Sequence, residues 1–338
     1  MCGHDTPPQE HTGMNSAHIA VIGAGAWGIA LAIQAARAGA HVHLWARRAE
    51  PLPDTRILPR LPDAPLPDRV TLSGEMPARA DAILLAVPTQ HLRGVCARVP
   101  PVAPMIACCK GVELATGLLP TGIMAQVHPG VTHGVLSGPN FAHEIARGLP
   151  AASVLACASA TQARALADLL TTPSFRLYAS DDPTGVQVGG AAKNVIAIAA
   201  GATIGAGLGE NARAALITRS LAELGRLSHA LGGRAETLSG LAGIGDLILT
   251  CTGAASRNST LGLALGRGRT LEQALAHGGG VVEGVTTAPA LLALARARGV
   301  CVPIIETVAL LLAGEIDLPD ARTRLMSRPV GQEFAAIA

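Results

Sequence analysis

An apolar run, His18-Ile19-Ala20-Val21-Ile22, opens directly into Gly23-Ala24-Gly25-Ala26-Trp27-Gly28, and the stretch from Ile29 to Ala38 that follows reads as a helix ending at Gly39. A buried strand that turns through GxGxxG into a helix admits few folds. It is the first βα unit of a doubly wound, Rossmann-like sheet that binds a dinucleotide. Gly23 permits the tight turn, Gly25 lets a pyrophosphate approach the backbone, and Gly28 lets the helix pack on the strand. The helix N-terminus then faces the phosphates.

The next strand is His41 to Trp45, and Ala46-Arg47-Arg48 follows it. An acid there would hold the ribose hydroxyls of NAD, whereas two arginines suit a 2′-phosphate by charge and bidentate geometry. Arg47 and Arg48 therefore favour NADP(H) and leave NAD(H) use open. Pro51 to Pro67 holds six prolines without a period and reads as a loop over the surface. Further buried strands are expected at Ala82 to Val87, Met105 to Cys108, Gly134 to Ser137, Ala152 to Ala156 and Phe175 to Tyr178, with a helix from Thr161 to Leu170. Ligands sit beyond the carboxyl ends of such strands. Pro88 to His91 then lies beside the cofactor, and Lys110, at the end of its strand, points into the cleft. Gly138-Pro139 makes a fixed turn, and Asn140 offers both a donor and an acceptor. His143 and Glu144 read as exposed residues at a helix start. Asp181-Asp182-Pro183 marks the exit from this half.

From Thr184 the period turns helical. Gly189-Gly190-Ala191-Ala192-Lys193-Asn194 leads into the apolar run Val195 to Ala202, and a helix apolar on every face is a buried one. A cation there must be paired, hydrated or neutralised. Burial and a nearby helix N-terminus both disfavour an ammonium, which turns a lysine into a proton-transfer group. The alternative is a lysine that reaches solvent or pairs with a carboxylate. Asn211 to His229 fits a half-buried helix. Asp246, after the glycine-dense Gly240 to Gly245, is either a helix N-cap or the counter-charge of a lysine. Ser256-Arg257-Asn258 opens a helix expected over Thr260 to Leu265 and forms an anion site, with Arg257 able to grip a phosphate bidentately. Val281-Val282-Glu283-Gly284 precedes a helix from Thr286 to Arg296, and Pro303 to Leu312 is the last strong one.

At 338 residues the chain divides into two domains: residues 17–182, Rossmann-like α/β, and residues 183–338, all-helical. Hydrophobic residues make up 49 % and aromatics only 2 %, so the core must be built from Ala, Leu, Val and Ile. A net charge of +2 gives no nucleic-acid surface. Seven scattered cysteines without CxxC read as reduced cytosolic thiols with no metal site. Residues 1–16 read as a disordered tail without the apolar core of a signal peptide, and Met14 as a plausible start. The stretch from Val186 to Gly209 is long enough to span a bilayer, but its glycines and central Lys193 are poor lipid-facing choices, so no membrane insertion is expected.

Together these motifs resemble the bacterial NAD(P)-dependent glycerol-3-phosphate dehydrogenase family over His18 to Arg328. The most specific pieces are Gly23–Gly28, Lys110-Gly111-Val112-Glu113, Leu136-Ser137-Gly138-Pro139, Gly190-Ala191-Ala192-Lys193-Asn194, Gly243-Ile244-Gly245-Asp246-Leu247 and Ser256-Arg257-Asn258. The resemblance implies a cytoplasmic homodimer that reduces dihydroxyacetone phosphate to sn-glycerol 3-phosphate for phospholipid synthesis. It implies that Lys193 is the proton donor and acceptor. Lys110, Gly138, Asn140, Lys193, Asp246, Ser256, Arg257 and Asn258 would hold the phosphorylated substrate. Ala26, Trp27, Arg47, Arg48, Lys110, Ala142, Arg257, Val281 and Glu283 would line the cofactor. Three positions depart from the family pattern: Asn140 stands where the family usually has Ser or Thr, the loop Arg56 to Pro67 lacks its tyrosine, and Gly331 replaces a common basic residue. A related dehydrogenase of hydroxy acids remains a second reading, because a carboxylate could also sit on Arg257.

Overall fold

The structure, a computed structural model, describes residues 16–277 and 281–327. The expectations placed on residues 1–15, on Met14 and on Gly331 lie outside the described residues.

Among the described residues eight strands form one sheet in the order β3-β2-β1-β4-β5-β6-β7-β8. They are β1 (His18–Ile22), β2 (His41–Trp45), β3 (Val70–Ser73), β4 (Ala82–Leu85), β5 (Met105–Ala107), β6 (His133–Ser137), β7 (Ala151–Cys157) and β8 (Phe175–Ser180). All neighbours run parallel except β6 and β7. Five helices alternate with them: α1 (Ala26–Arg37), α2 (Thr89–Cys96), α3 (Pro120–Val127), α4 (Ala142–Arg147) and α5 (Ala160–Asp168). The strand order reverses between β1 and β4, and a crevice at that point is where such sheets hold ligands.

α1 starts at Ala26, inside the glycine motif, three residues before the expected Ile29. Gly23 turns the chain at φ +117°, and a Cβ on Gly28 would sit 1.8 Å from the Gly23 carbonyl oxygen. No side chain replaces either. The sequence reading missed β3, a four-residue edge strand with one buried residue and too short to show alternation. It also missed α2 and α3, where Thr89 and Pro120 start helices just after the preceding strand or loop. The proline-rich loop is not a loose surface segment, because Leu61, Ala64 and Leu66 are buried in the core.

Among the described residues eight α-helices follow: α6 (Pro183–Gly205), α7 (Gly209–Ala230), α8 (Asp246–Thr252), α9 (Arg257–Gly266), α10 (Leu271–His277), α11 (Glu283–Ala297), α12 (Pro303–Ala313) and α13 (Leu318–Met326). α6 is the axis of this half. Asp182 caps it, accepting from Gly185 N at 2.8 Å, and every residue from Gly185 to Thr203 is buried. It is the one described helix long and apolar enough to cross a membrane, and 83 % of its most apolar window is buried inside the fold. A Cβ on Gly189 would lie 2.4 Å from the Ala242 carbonyl, and one on Gly201 2.1 Å from that of Ser259. These bare spots let α6 touch two neighbouring backbones. That closeness sets the site.

Candidate active site

Lys193 lies in the middle of α6, not near a helix start as expected, so the helix N-terminus is out of its reach. The apolar run had a polar, glycine-rich prelude that belongs to the same helix. What faces Lys193 is a carboxylate. Its Nζ donates to Asp246 Oδ1 at 2.7 Å. Lys110 Nζ donates to the other oxygen, Asp246 Oδ2, and to the Gly138 carbonyl at 3.0 Å. Thr250 Oγ1 donates to Oδ1 at 3.2 Å. Asp246 is therefore no helix cap. The five residues before it, Leu241–Gly245, form a π-helical turn that widens the backbone and carries the carboxylate inward, where it is 0 % exposed. Burial alone would raise the Asp246 carboxyl, but the two ammonium groups outweigh it and hold it below the ordinary carboxylate range.

These are the only two lysines in the chain; the other members of its 26 Lys and Arg residues are arginines. Both meet on one buried carboxylate. A lone lysine is uninformative, but two amines in a surface otherwise served by guanidinium is a signal that could have been read beforehand.

Lys110 is held by its own motif. Gln90 on α2 donates to the Val112 carbonyl at 2.8 Å. Glu113, 6 % exposed, accepts both arms of Arg93, at 2.9 and 2.7 Å. Glu113 thus anchors the loop and does not reach the site. Burial pulls the Lys110 ammonium down to about 8, with Asp246 opposing the fall and the Lys193 charge adding to it.

The cluster forms the floor of a cavity of about 420 Å³. Lys110, Asn140, Lys193, Ser256, Arg257 and Asn258, from the expected substrate set, line it. Gly138 and Asp246 do not: the first is buried beneath Lys110 and the second beneath both amines, so each can act on a ligand only through a lysine. Asn258 uses its amide to tie helices together, donating to Asn194 Oδ1 at 2.8 Å and accepting from Gly284 N at 3.0 Å. Ser256 caps α9, accepting from Ser259 N at 3.2 Å. Asn140 Oδ1 accepts from Ser153 at 2.8 Å, while its buried Nδ2 has no partner among the described residues.

Of the expected cofactor set, Ala26, Trp27, Lys110, Ala142, Arg257, Val281 and Glu283 line the same cavity. Gly23, Gly25 and Gly28 form the turn at its side, and Trp27 Nε1 donates to the Cys108 carbonyl at 3.1 Å. A Cβ on Gly25 would meet nothing within 4 Å, and Gly25 caps α1 without a side-chain bond. Nothing in the fold requires a glycine there, and the first-turn N–H groups have no side-chain cap. Both facts fit a diphosphate. Arg47 and Arg48 are exposed just past β2 and do not line the cavity. Burial raises the Glu283 carboxyl, against the charges of Lys193, Arg257 and Lys110. Cys109 lines the wall, but burial pushes its thiol up to about 12, so no thiolate is available there. Sequence reasoning missed Arg60, Asn194 and Thr250 as lining residues, and His143 faces the cavity, stacked on Phe141 at 5.8 Å.

Four cations (Arg60, Lys110, Lys193 and Arg257) surround this space against two carboxylates, Asp246 and Glu283. The excess suits a small dianion.

Comparison with known proteins gives the chain a family. The family described as NAD-dependent glycerol-3-phosphate dehydrogenase matches through its N-terminal part over residues 18–163 and through its C-terminal part over residues 182–322. A glycerol-3-phosphate dehydrogenase (NAD(P)+) of Gluconobacter oxydans is 60 % identical over 320 residues, covering 94 % of this chain and 98 % of its own. That of Acidiphilium cryptum is 55 % identical over 318 residues, covering 93 % and 98 %. The crystal structure of glycerol-3-phosphate dehydrogenase from Coxiella burnetii superposes with a TM-score of 0.87 at 36 % identity, covering 93 % of this chain and 99 % of that one. The chain belongs to the NAD-dependent glycerol-3-phosphate dehydrogenase family.

Proposed function

We infer that this protein catalyses the reversible NAD(P)H-dependent reduction of dihydroxyacetone phosphate to sn-glycerol 3-phosphate. One observation carries the reading: two amines share one buried carboxylate on the floor of a cavity that the glycine-turn residues Ala26 and Trp27 also line. A nicotinamide cofactor, which the glycine turn with Ala26 and Trp27 would hold, would supply the hydride for the C2 carbonyl carbon. Lys193, as ammonium, donates a proton to the oxygen that becomes the C2 hydroxyl and stabilises negative charge there as it forms. Asp246 orients Lys193 and Lys110 and keeps neither charge unpaired. Arg257, exposed at the first turn of α9 and without an ion-pair partner among the described residues, grips the phosphate together with the N-terminus of that helix. Asn258 and Ser256 fix the helix end that presents it. Binding energy at the phosphate then aligns the distant carbonyl. Arg47 and Arg48 favour NADP(H) by their charge past β2. The same family likeness supports the reading of a homodimer that works in the cytoplasm and supplies glycerol phosphate for phospholipids.

Following NADPH absorbance with dihydroxyacetone phosphate, unphosphorylated dihydroxyacetone and 2-keto acids tests the reaction. Only the first should be turned over well, and a preference for a keto acid would refute the assignment. Initial rates with NADH and NADPH settle the cofactor. Arg257→Ala should raise KM for the phosphorylated substrate by roughly 10- to 100-fold, the worth of charge-assisted bonds. An unchanged KM removes Arg257 from the phosphate site.

A pH dependence follows from Lys110. Its ammonium is present below about 8 and lost above, so KM for the phosphate substrate should be flat near pH 7 and climb as pH passes about 8. The stability sign is separate. Between about 8 and the ordinary 10.5 the unfolded chain holds a proton that the native chain has shed, so this group makes stability rise with pH across that window. A KM that stays level from pH 7 to 9.5 would contradict the assignment of Lys110 to substrate binding.

A further inference from the structure

We propose that Arg60, carried by the proline-rich loop between β2 and β3, is a phosphate-gripping side chain at the mouth of the main cavity. The inference rests on the dehydrogenase reading for the identity of the ligand and on the loop's own geometry for the rest.

Arg60 lines the same cavity as Trp27 of the glycine turn and Arg257 of α9. It is exposed, and among the described residues its guanidinium has no carboxylate or carbonyl partner. Arg56, four residues earlier, is different: it is spent internally, its Nε donating to the Leu66 carbonyl at 2.8 Å and its Nη2 to those of Pro67 and Val70 at 2.7 and 2.8 Å. It does so from the left-handed region, φ 53°, the only described non-glycine residue with positive φ. Such strain persists where surrounding structure over-determines it. Arg56 also closes the loop on itself, its carbonyl accepting from Leu66 N at 2.8 Å.

Within that clasp, Leu58-Pro59-Arg60-Leu61 is a β-turn, Leu61 N donating to the Leu58 carbonyl at 3.0 Å. Proline presets the second position of such a turn and leaves Arg60 at the third, its tip. Leu61 is 5 % exposed and Leu58 packs on the same core. The two flanks are therefore nailed down while the arginine between them projects. A cation presented by a fixed turn loses little backbone freedom on gripping a ligand, so more of its interaction survives as affinity. A planar guanidinium suits phosphate oxygens bidentately.

Two phosphate sources reach this cavity: the cofactor, with its diphosphate and in NADP(H) a 2′-phosphate, and the phosphorylated substrate. Full-length Arg60→Ala and Arg60→Gln would be titrated with NADH and with NADPH by fluorescence, and KM measured for dihydroxyacetone phosphate. At least one of the three ligands should bind about 5- to 20-fold more weakly, more so at low salt, with Tm unchanged. Equal loss for NADH and NADPH assigns the diphosphate. Loss for NADPH alone assigns the 2′-phosphate, and a raised KM alone assigns the substrate phosphate. Arg60→Lys should recover part of the loss. If all three stay within twofold of the native values in both variants, the proposal is overturned. Failure of the native protein to reduce dihydroxyacetone phosphate would sink the functional reading instead, while the cofactor titrations would still judge Arg60.

Discussion

Lys193→Met should bind nicotinamide cofactor as the native protein does and lose turnover by at least ~10²–10⁴-fold, the contribution of a positioned proton donor. Methionine is close to lysine in length and forms helix well, so α6 should keep its course between its glycine contacts. Asp246 would keep Lys110 and Thr250 as partners, so no buried carboxylate is orphaned. The loss should fall on kcat, because the proton is needed as the alkoxide forms and less in the ground state. Steady-state rates paired with cofactor titration give the answer. Turnover within threefold of native would mean that another group delivers the proton.

Asp246→Asn should damage both folding and chemistry. The carboxylate is fully buried, and its neutral replacement leaves two ammonium groups facing each other without a counter-charge. Breaking a buried ion pair from one side costs ~3–5 kcal/mol. In a chain of this size that lowers Tm by on the order of 5–10 °C. Activity should drop at least ~100-fold, since neither lysine is then held in place. The double variant Asp246→Asn with Lys110→Met removes one of the opposed charges. It should regain much of the lost Tm and none of the activity, which separates charge burial from catalysis. A single variant that melts like the native protein would show that the amines do not depend on Asp246.

The sequence disclosed most where one residue type has one physical use. Gly23 is confined by its φ and by the Ala86 carbonyl, and Gly28 by the Gly23 carbonyl, so their spacing announced the turn. Lys193 stood out because a buried cation needs a reason, and Lys110 because it stands at the carboxyl end of a strand, where such sheets hold ligands. Asp246 stayed ambiguous because capping and charge pairing both place an acid before an apolar run; a π-turn, invisible in composition, decided between them. The onset of α6 was legible to within a residue, but Lys193 was placed near a helix N-terminus because the unbroken apolar run begins only at Val195, whereas the helix starts at Pro183. Nothing in the sequence marks Gly189 as a contact; the Ala242 carbonyl, 2.4 Å from where its Cβ would sit, does. Arg60 was hidden for the opposite reason: nothing local marks it, and its place over the cavity depends on a clasp made by Arg56 with carbonyls ten or more residues on. The edge strand β3 had too few residues to display a period.

The chain's near-exclusive use of arginine has a practical side. At neutral pH, acylating esters and aldehydes attack primary amines and spare guanidinium groups. On the side chains of this protein such reagents have two targets, and both lie on the floor of the cleft. Labelling becomes a gauge of occupancy: a filled cleft shields the amines and an empty one yields them. Attachment to a support through side-chain amines would instead tether the protein by the two lysines that share Asp246.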